Sequence, residues 1–451
     1  MQKFYDFKKE LNAISPTFCV AKWKQVTMHL ESGLTHSCHH VKAHTVPFDE
    51  LEENVSALHN TKYKKQTRQQ MLDGEVVPEC EYCNRIEKNA TRALSDRIYK
   101  SHEIWAKKYI PEIVELGADY DVFPSYFEVS FSSVCNCACV YCSATFSSGW
   151  IKEIEEFGPY STSISNRGFD DSPPPRFIGA EKNPYIDAFW KWWPELYQRL
   201  EFFRITGGEP LLSKDTFKTL DYIIEHPKPE LRIDVNSNLC INKKLFDKFI
   251  DKYQQIAENG TRVGVFTSCE AYGEQAEYTR PGLNYNAWLE NCREYLRRVP
   301  TGKLVFMCTY NILSIVSFKD FLGDILKLKK EFELRVDIDI PFLMNPPYLQ
   351  ANIIDKSFMP YIEDAVTFMY NNQDVQDWPP LSGKGFFPHE IAKLERIYHM
   401  VQAKPWNKGC FVSRKDFVIF VDQHDERYGS KFVEVFPEYE TFYNESRRMT
   451  W

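Results

Sequence analysis

The feature that most constrains the fold is a regular alternation of short apolar runs and amphipathic stretches between about residues 126 and 344. Six runs have the length and composition of buried strands: 126–131, 201–206, 232–237, 262–268, 303–310 and 335–342. Four stretches between them have helical periodicity: 213–225, 243–257, 285–298 and 318–332. Strands that alternate with helices predict repeated βα units, a parallel sheet and an α/β fold class.

The length predicts more than one structural unit. A chain of 451 residues exceeds the size at which one hydrophobic core keeps growing. We expect a cysteine-rich region over 1–120, the βα region over 121–345, and an α-rich C-terminal region over 346–451. Ser213 and Ser317 are predicted N-caps of two helices, since a short polar side chain can hold the first free amides.

Residues 143–195 are more than one loop and one helix require, so we predict an insertion there. It contains the proline-rich segment 172–176 and the tryptophan-rich segment 189–193. Long insertions near a site are often lids or substrate-binding loops, and a surface elaboration whose tryptophans cover the sheet is the alternative.

Charge and hydropathy exclude some classes of function. The formal net charge of −8 argues against general electrostatic binding of nucleic acid. The N-terminus lacks the apolar stretch of a signal peptide, and no run is long enough to span a bilayer. We therefore expect a cytoplasmic protein without membrane contact. In that compartment the 13 cysteines are expected to be thiols or metal ligands, not disulfides.

Three cysteines, Cys135, Cys139 and Cys142, follow the first predicted strand with the spacing C-x3-C-x2-C. A cubane iron–sulfur cluster normally takes four cysteine ligands, so three leave one iron open to another ligand. Such a group can also bind zinc. Cys137 lies between two of them and could substitute for one, although the spacing C-x-C-x2-C fits less well.

A glycine-rich segment, Gly207, Gly208, Glu209 and Pro210, follows the second predicted strand. Paired glycines let the backbone approach a ligand closely, and Glu209 offers an acceptor. Together with Tyr141 before the third cysteine, these residues resemble the C-x3-C-x-aromatic-C and GGEP motifs of radical S-adenosylmethionine (SAM) enzymes. The resemblance implies a partial (β/α)6 barrel, a [4Fe–4S] cluster with SAM on its open iron, and Glu209 as acceptor for the SAM ammonium.

Segments after the later strands resemble the rest of a SAM site. Ser237 and Asn238 are similar to a Thr-Asn-Gly segment of that family, with Asn238 or Leu239 at the glycine position, and they suit ribose hydroxyls or turn capping equally. Segments 267–270 and 278–282 and Asn291 are similar to a pattern of radical SAM maturases. There Ser268 and Glu270 align with Ser-x-Asp, with glutamate in place of aspartate. Arg280 could pair with the SAM carboxylate or form a structural ion pair. By position alone, 309–311 and 341–344 would border the adenine.

A second cysteine group precedes these motifs. Cys19, Gly33 and Cys38 have the spacing C-x13-G-x4-C, and Cys80 and Cys83 follow. The first spacing resembles the opening of the SPASM and twitch domains of radical SAM enzymes, which carry auxiliary clusters and usually follow the barrel. Four thiolates would close a [4Fe–4S] cube and leave it an electron-transfer or structural role. Zinc is the alternative, with a neighbouring histidine replacing one thiolate: His36, His39 or His40.

The C-terminal region contains two predicted helices, 358–370 and 389–401. Segment 415–422 follows these helices, and the charged residues after it, His424, Asp425 and Glu426, are interpreted as a turn. Adjacent side chains of an extended chain alternate in direction, so these three cannot all face one catalytic or metal site.

The resemblance implies a function. It indicates reductive cleavage of SAM to a 5′-deoxyadenosyl radical that takes hydrogen from a substrate, with an electron donor such as flavodoxin or ferredoxin as partner. Twitch and SPASM relatives favour a peptide or protein side chain as substrate. A small-molecule or nucleotide substrate stays open, and so does a non-catalytic zinc-binding interaction protein.

Overall fold

The computed structural model describes residues 2–89, 93–163, 177, 182–374, 382–403 and 408–449. Its strands are β1 (Gln25–His29), β2 (Leu34–His36), β3 (His44–Thr45), β4 (Tyr126–Ser130), β5 (Phe202–Thr206), β6 (Arg232–Asn236), β7 (Arg262–Ser268), β8 (Lys303–Met307) and β9 (Val336–Asp339). Its α-helices are α1 (Gln2–Ile14), α2 (Ala21–Lys24), α3 (Phe48–Glu53), α4 (Ala57–Asn60), α5 (Lys62–Leu72), α6 (Glu81–Asn89), α7 (Asp96–His102), α8 (Ile104–Lys107), α9 (Ile110–Leu116), α10 (Ser148–Phe157), α11 (Pro184–Arg199), α12 (Lys214–Glu225), α13 (Lys243–Glu258), α14 (Gly273–Thr279), α15 (Tyr285–Arg298), α16 (Phe318–Phe332), α17 (Met359–Asn371), α18 (Pro388–Gln402), α19 (Lys408–Tyr428), α20 (Phe432–Val435) and α21 (Glu440–Arg448).

The chain divides into two compact units. The first comprises Met1–Ser132, Pro174–Gly207 and Lys228–Asp234, and the second comprises Ser133–Pro173, Gly208–Pro227 and Val235–Trp451. The boundaries near residues 120 and 345 stay predictions.

The first unit contains a mixed sheet. Strands β1, β4 and β5 are parallel, with Thr27 opposite Glu128 and Glu128 opposite Arg204. Strand β2 is antiparallel to β1, and β3 is antiparallel to β2. Because side chains alternate along a strand, one face of this sheet is polar and the other carries Phe127 and Phe203. The sequence analysis did not predict β1, β2 or β3.

Helices of the first unit surround an apolar core next to this sheet. The core contains Trp23 and Phe18, whose rings lie 5.4 Å apart, and residues of α1 and α7. Trp23 also donates a 3.0 Å hydrogen bond from Nε1 to the carbonyl of Gly117. This core holds the short helix α2, which carries residues next to Cys19.

The second unit contains the later βα repeats. Strands β7, β8 and β9 are parallel, with Phe266 opposite Val305 and Phe306 opposite Ile338. All six strands predicted from the apolar runs are present, and so are the four helices between them. The α/β fold class is therefore confirmed.

One of the two predicted N-caps is wrong. Ser213 caps α12, because its side chain accepts a hydrogen bond from the amide of Asp215. Ser317 makes no such bond at the start of α16, and its hydroxyl instead accepts the amide of Tyr272 at 3.1 Å. A neighbouring segment therefore uses the hydroxyl that the sequence assigned to the helix.

The C-terminal predictions are half right. Helices α17 and α18 occur where they were predicted. The predicted turn is wrong, because α19 runs through residues 424–426. His424 is buried in that helix, and the Asp425 carboxylate accepts hydrogen bonds from the Tyr278 hydroxyl at 3.0 Å and the Phe432 amide at 2.7 Å.

The predicted insertion contains two helices, α10 and α11. Phe189, Trp192 and Trp193 of α11 are buried, so these aromatic side chains are core residues of their unit. The proline-rich segment 172–176 lies outside the described residues. Within the described ranges, no helix is both long enough and apolar enough to cross a membrane.

A buried ion pair provides a test of the packing in the second unit. Lys329 and Glu390 pair at 3.0 Å with fully buried side chains, and Glu390 also accepts the amide of Ile338 at 2.8 Å. Lys329→Met leaves the carboxylate buried without its cation, so we expect a loss of about 3–5 kcal/mol in the free energy of unfolding, measured in urea at pH 7. Lys327→Met, which breaks a pair made by an exposed lysine, is the control and should cost less than about 1 kcal/mol. Equal losses would contradict this account.

Candidate functional site

Cys135, Cys139 and Cys142 lie together on the loop that follows β4. Burial raises the pKa of Cys135 to about 11 and that of Cys142 to about 12. A negative charge on Cys139 contributes to the rise of both pKa values. Burial and mutual repulsion thus favour neutral thiols. Metal ligation, which requires thiolates, offsets that cost.

The cysteine loop is held by a second segment of the chain. The amides of Ala138 and Val140 each donate a 3.0 Å hydrogen bond, to the carbonyls of Pro281 and Thr279 respectively. Trp150 of α10 donates from Nε1 to the carbonyl of Cys139 at 2.9 Å. Backbone contacts of this kind fix the three sulfurs relative to segment 279–281.

Arg280 contacts both Cys139 and a buried carboxylate. Its Nη1 donates to Cys139 Sγ at 3.3 Å, and its Nε and Nη2 donate to Glu270 at 3.1 and 2.7 Å. The Tyr141 hydroxyl also donates to Glu270, at 2.9 Å, and the Arg280 guanidinium lies 5.3 Å from the centre of the Tyr141 ring. Arg280, Glu270 and Tyr141 are all buried or half-buried. Arg280 thus forms a structural ion pair with Glu270, which was one of its two possible roles, and it also contacts the thiol of Cys139.

The glycine-rich turn packs directly on the cysteine loop. A Cβ on Gly208 would lie 2.5 Å from the carbonyl oxygens of Ser133 and Val134, so only glycine fits there. The next amide, that of Glu209, donates to the carbonyl of Val134 at 2.7 Å. Gly207 has φ of 136°, which favours glycine as well. Pro210 then begins a short 3-10 helix.

The carboxylate of Glu209 is buried and hydrogen-bonded on both oxygens. It accepts from the amide of Leu211 at 3.0 Å, the hydroxyl of Ser237 at 2.8 Å and the amide of Asn238 at 2.7 Å. Burial raises the pKa of Glu209 to about 7, and these three bonds oppose the rise. A carboxylate has about four lone-pair positions, so one more donor, such as an ammonium, can be accommodated.

The segment after β6 contacts the cysteine loop through Asn238. Its Nδ2 lies 2.9 Å from Asn136 Oδ1 and 3.4 Å from Cys137 Sγ. Leu239, at φ of 53°, has a left-handed backbone conformation. A leucine there costs about 1–2 kcal/mol of backbone strain. Asn291 Nδ2, which donates to the Leu239 carbonyl at 2.8 Å, helps to hold the turn.

The remaining predicted residues lie at strand ends of the second unit. Ser268 ends β7, two residues before Glu270. Asn311 follows β8, and its side chain caps a 3-10 helix by accepting the amide of Leu313 at 2.9 Å. Met344, after β9, is 68% exposed. The adenine-bordering role of these two segments stays a prediction.

A cavity of about 700 Å³ adjoins the cysteine loop within the second unit. This volume is in the range of small-molecule sites. Its lining combines Cys135 and Cys137 with Lys152, Glu274 and His424. Lys152, Glu274 and His424 come from α10, α14 and α19, so the sequence offered no motif that could have grouped them.

The second cysteine group is brought together in the first unit. Cys19, Cys38, Cys80 and Cys83 line one cavity of about 30 Å³. Cys19 precedes α2, Cys38 follows β2, and Cys80 and Cys83 lie on adjoining turns of a 3-10 helix and α6. Gly33, at φ of 68°, is required because a Cβ there would overlap the ring of Tyr185.

Burial dominates the electrostatics of this group. Burial raises the pKa of Cys80 to about 12 and that of Cys83 to about 11. Negative charges on Cys19 and Cys38 contribute to the rise of both pKa values. The ammonium of Lys22, which lines the same cavity, lowers the pKa of Cys80. Lys22 was not predicted as a site residue, although it stands three positions after Cys19.

The three histidines weighed as substitute ligands differ in position. His40 lines the cavity, stacks on Tyr82 at 3.8 Å and lies 2.6 Å from the carboxylate of Asp96. His36 is hydrogen-bonded through Nδ1 to the carbonyl of Cys38 at 2.8 Å. Burial lowers the pKa of His36 to about 4 and that of His39 to about 3. Both imidazoles are therefore neutral at pH 7.

Among the residues that the structure describes, no group of three or more His, Cys, Asp or Glu side chains is placed to hold a metal ion. A single zinc ion needs all its sulfur ligands at about 2.3 Å from one point. In a cubane, by contrast, each thiolate binds a different iron. The donor chemistry, three thiols on one loop and four around one cavity, fits cubane ligation at both places.

Comparisons with known proteins leave the functional argument to these residues. No protein-family model and no curated protein matches the chain. Among solved structures, it is similar to the crystal structure of Streptococcus suis SuiB bound to S-adenosylmethionine. That similarity has a TM-score of 0.32 and 10% sequence identity, over 76% of this chain and 67% of that chain. A similarity at this level carries no argument about activity.

Gly208→Ala tests the contact between the glycine-rich turn and the cysteine loop. The added methyl group would meet two backbone carbonyls that cannot rotate away, so we expect a loss of about 1–3 kcal/mol in the free energy of unfolding, measured in urea. Gly323→Ala is the control, because a Cβ there meets nothing within 4 Å and alanine favours its helix, α16. The account is wrong if both variants are equally stable.

Proposed function

We propose that the protein is a radical SAM enzyme whose Cys135, Cys139 and Cys142 hold a [4Fe–4S] cluster with one open iron. The observation that carries this proposal is the packing of the glycine-rich turn on the cysteine loop, through Gly208 and the amide of Glu209. The two motifs lie more than 60 residues apart in sequence, and each follows one of the paired parallel strands β4 and β5. A partial (β/α)6 barrel is the fold that this family implies.

The chemistry comes from the bound groups. When bound, the reduced cluster supplies an electron to the sulfonium of SAM, which releases methionine and a 5′-deoxyadenosyl radical for hydrogen abstraction. The electron would come from a donor such as flavodoxin or ferredoxin.

The chain's own residues would bind and orient SAM and the cluster. Glu209 would accept the SAM ammonium, since its carboxylate is held in place by Ser237 and the amide of Asn238. Arg280 favours the thiolate form of Cys139 by donating to its sulfur, and Glu270 fixes Arg280 for that contact. Ser268 and Asn238 are the candidates for contacts to the rest of SAM.

We assign the second cysteine group to an auxiliary [4Fe–4S] cluster, with zinc as the alternative. Four buried thiols around one cavity support this assignment, because four thiolates close a cubane and leave no open iron. The proposed substrate is a peptide or protein side chain, and the proposed location is the cytoplasm.

Anaerobic reconstitution tests the catalytic proposal. The chain should be brown, bind about eight irons and form 5′-deoxyadenosine from SAM with dithionite. The triple variant Cys135→Ala, Cys139→Ala, Cys142→Ala should lose about four irons and all SAM cleavage. Cys292→Ala, a change at a buried cysteine of α15, should keep both. A colourless chain that contains only zinc would favour a non-catalytic binding protein instead.

Cys83→Ala separates the two sites. We expect this variant to lose about four irons and to keep dithionite-driven SAM cleavage, because the cysteine loop after β4 is unchanged. Iron content by chemical assay and 5′-deoxyadenosine by chromatography are the measurements. An unchanged iron content would remove the auxiliary cluster from the proposal.

A further inference from the structure

The cavity of the second cysteine group contains a cation as well as four thiols. Lys22 lines the cavity, and its side chain is only 4% exposed. The amide of Lys22 donates to the carbonyl of Cys19 at 3.0 Å, so the lysine and the first cysteine share one turn of backbone. The short helix α2 that carries Lys22 is anchored by the buried Trp23.

The charge of Lys22 acts on the cysteines directly. Burial lowers its pKa, and negative charges on Cys80, Cys38 and Cys19 raise it in that order. Its one carboxylate contact in the described structure is with Glu79, which also accepts the hydroxyl of Tyr63 at 2.7 Å. Lys22 therefore contacts a carboxylate and shares its cavity with the four thiols.

The other basic side chains that line the cavity are committed elsewhere. Arg97 pairs with Glu87 at 2.8 Å and donates to the carbonyl of Phe18 at 2.9 Å. Lys100 is hydrogen-bonded to Gln25 Oε1 at 3.3 Å. Lys22 is thus the buried ammonium that lowers the pKa of Cys80, and Arg97, although paired, lowers that of Cys19.

We propose that Lys22 sets the reduction potential of the auxiliary cluster by placing a positive charge against it. This inference rests on the proposed function, because it requires a cluster on the four cysteines. A cubane with four thiolates is anionic and becomes more so when it takes up one electron. A buried cation beside it favours the reduced form, and net charge and hydrogen bonding to sulfur are known determinants of such potentials. The step is a one-electron transfer from the donor in which no bond forms or breaks and Lys22 keeps its protons.

The experiment isolates the auxiliary cluster in the full-length chain. In the background Cys135→Ala, Cys139→Ala, Cys142→Ala, only the second cysteine group can hold iron, and a redox titration followed by electron paramagnetic resonance gives its midpoint potential. We expect Lys22→Met to lower the equilibrium constant for reduction of the cluster at least tenfold. For one electron, a tenfold change lowers the midpoint potential by about 59 mV. For Lys22→Arg, which keeps the positive charge, the equilibrium constant for reduction should stay within threefold of the parent value.

Two further variants give a control and a change of opposite sign. Lys24→Met removes the other buried lysine of α2, which pairs with Glu112 at 2.8 Å, and should leave the potential unchanged. Glu79→Gln removes the carboxylate that contacts Lys22, so more of the lysine charge acts on the cluster and the midpoint should rise. If Lys22→Met takes up no iron, the Glu79→Gln result decides: a rise supports the proposal and an unchanged midpoint overturns it.

The outcomes distinguish this inference from the proposed function. Full iron content with the same midpoint in Lys22→Met and the parent overturns the role of Lys22 and leaves the auxiliary cluster standing. A parent that binds zinc, or no metal, at these cysteines overturns both. In that case SAM cleavage by the unmodified chain still tests the first cluster separately.

Discussion

The candidate active site depends on one close backbone contact, that of Gly208 with the carbonyl oxygens of Ser133 and Val134. No side chain can enter this contact, so the end of β5 and the loop after β4 meet through their peptide groups. The amide of Glu209 extends the contact by one hydrogen bond to Val134. The direction of the Glu209 carboxylate follows from it, and the hydroxyl of Ser237 then ties the segment after β6 to the same point.

Both cysteine groups are built around the cost of burying sulfur charge. Burial raises the pKa of thiols at both sites, and each site supplies a guanidinium or ammonium against a sulfur. The compensation differs. Arg280 is held by the buried carboxylate of Glu270 and by Tyr141, which limits its net charge at Cys139. Lys22 shares its cavity with four cysteines and contacts the carboxylate of Glu79.

Much of the fold could be predicted from sequence because its signals are local. The six strands after residue 125 are apolar runs in phase with a βα rhythm, and their helices have one apolar face. Strand β1 was missed because polar side chains alternate along it and its pairing with β4 joins residues about 100 positions apart. Helix α19 was not predicted at segment 415–422, where Phe417, Val418, Phe420 and Val421 are all buried. A helix that is apolar on several sides has the same short-range pattern as a buried strand.

The residues of the candidate site could be predicted from the sequence, but the contacts between them could not. Cysteine and glycine spacings are local, so both thiol groups and the turn at Gly208 could be read from the chain. The contact of Arg280 with Cys139 could not be predicted, because the two residues lie 141 positions apart in the sequence. Glu270, which is nearer in the sequence, is its other partner. Leu239 shows the same limit. Its amide donates to the Ser237 hydroxyl and its carbonyl accepts from Asn291, and these bonds hold a left-handed backbone that leucine itself disfavours. What the sequence omits is therefore the environment of each group, and the environment decides how strongly a buried sulfur or carboxylate holds its charge.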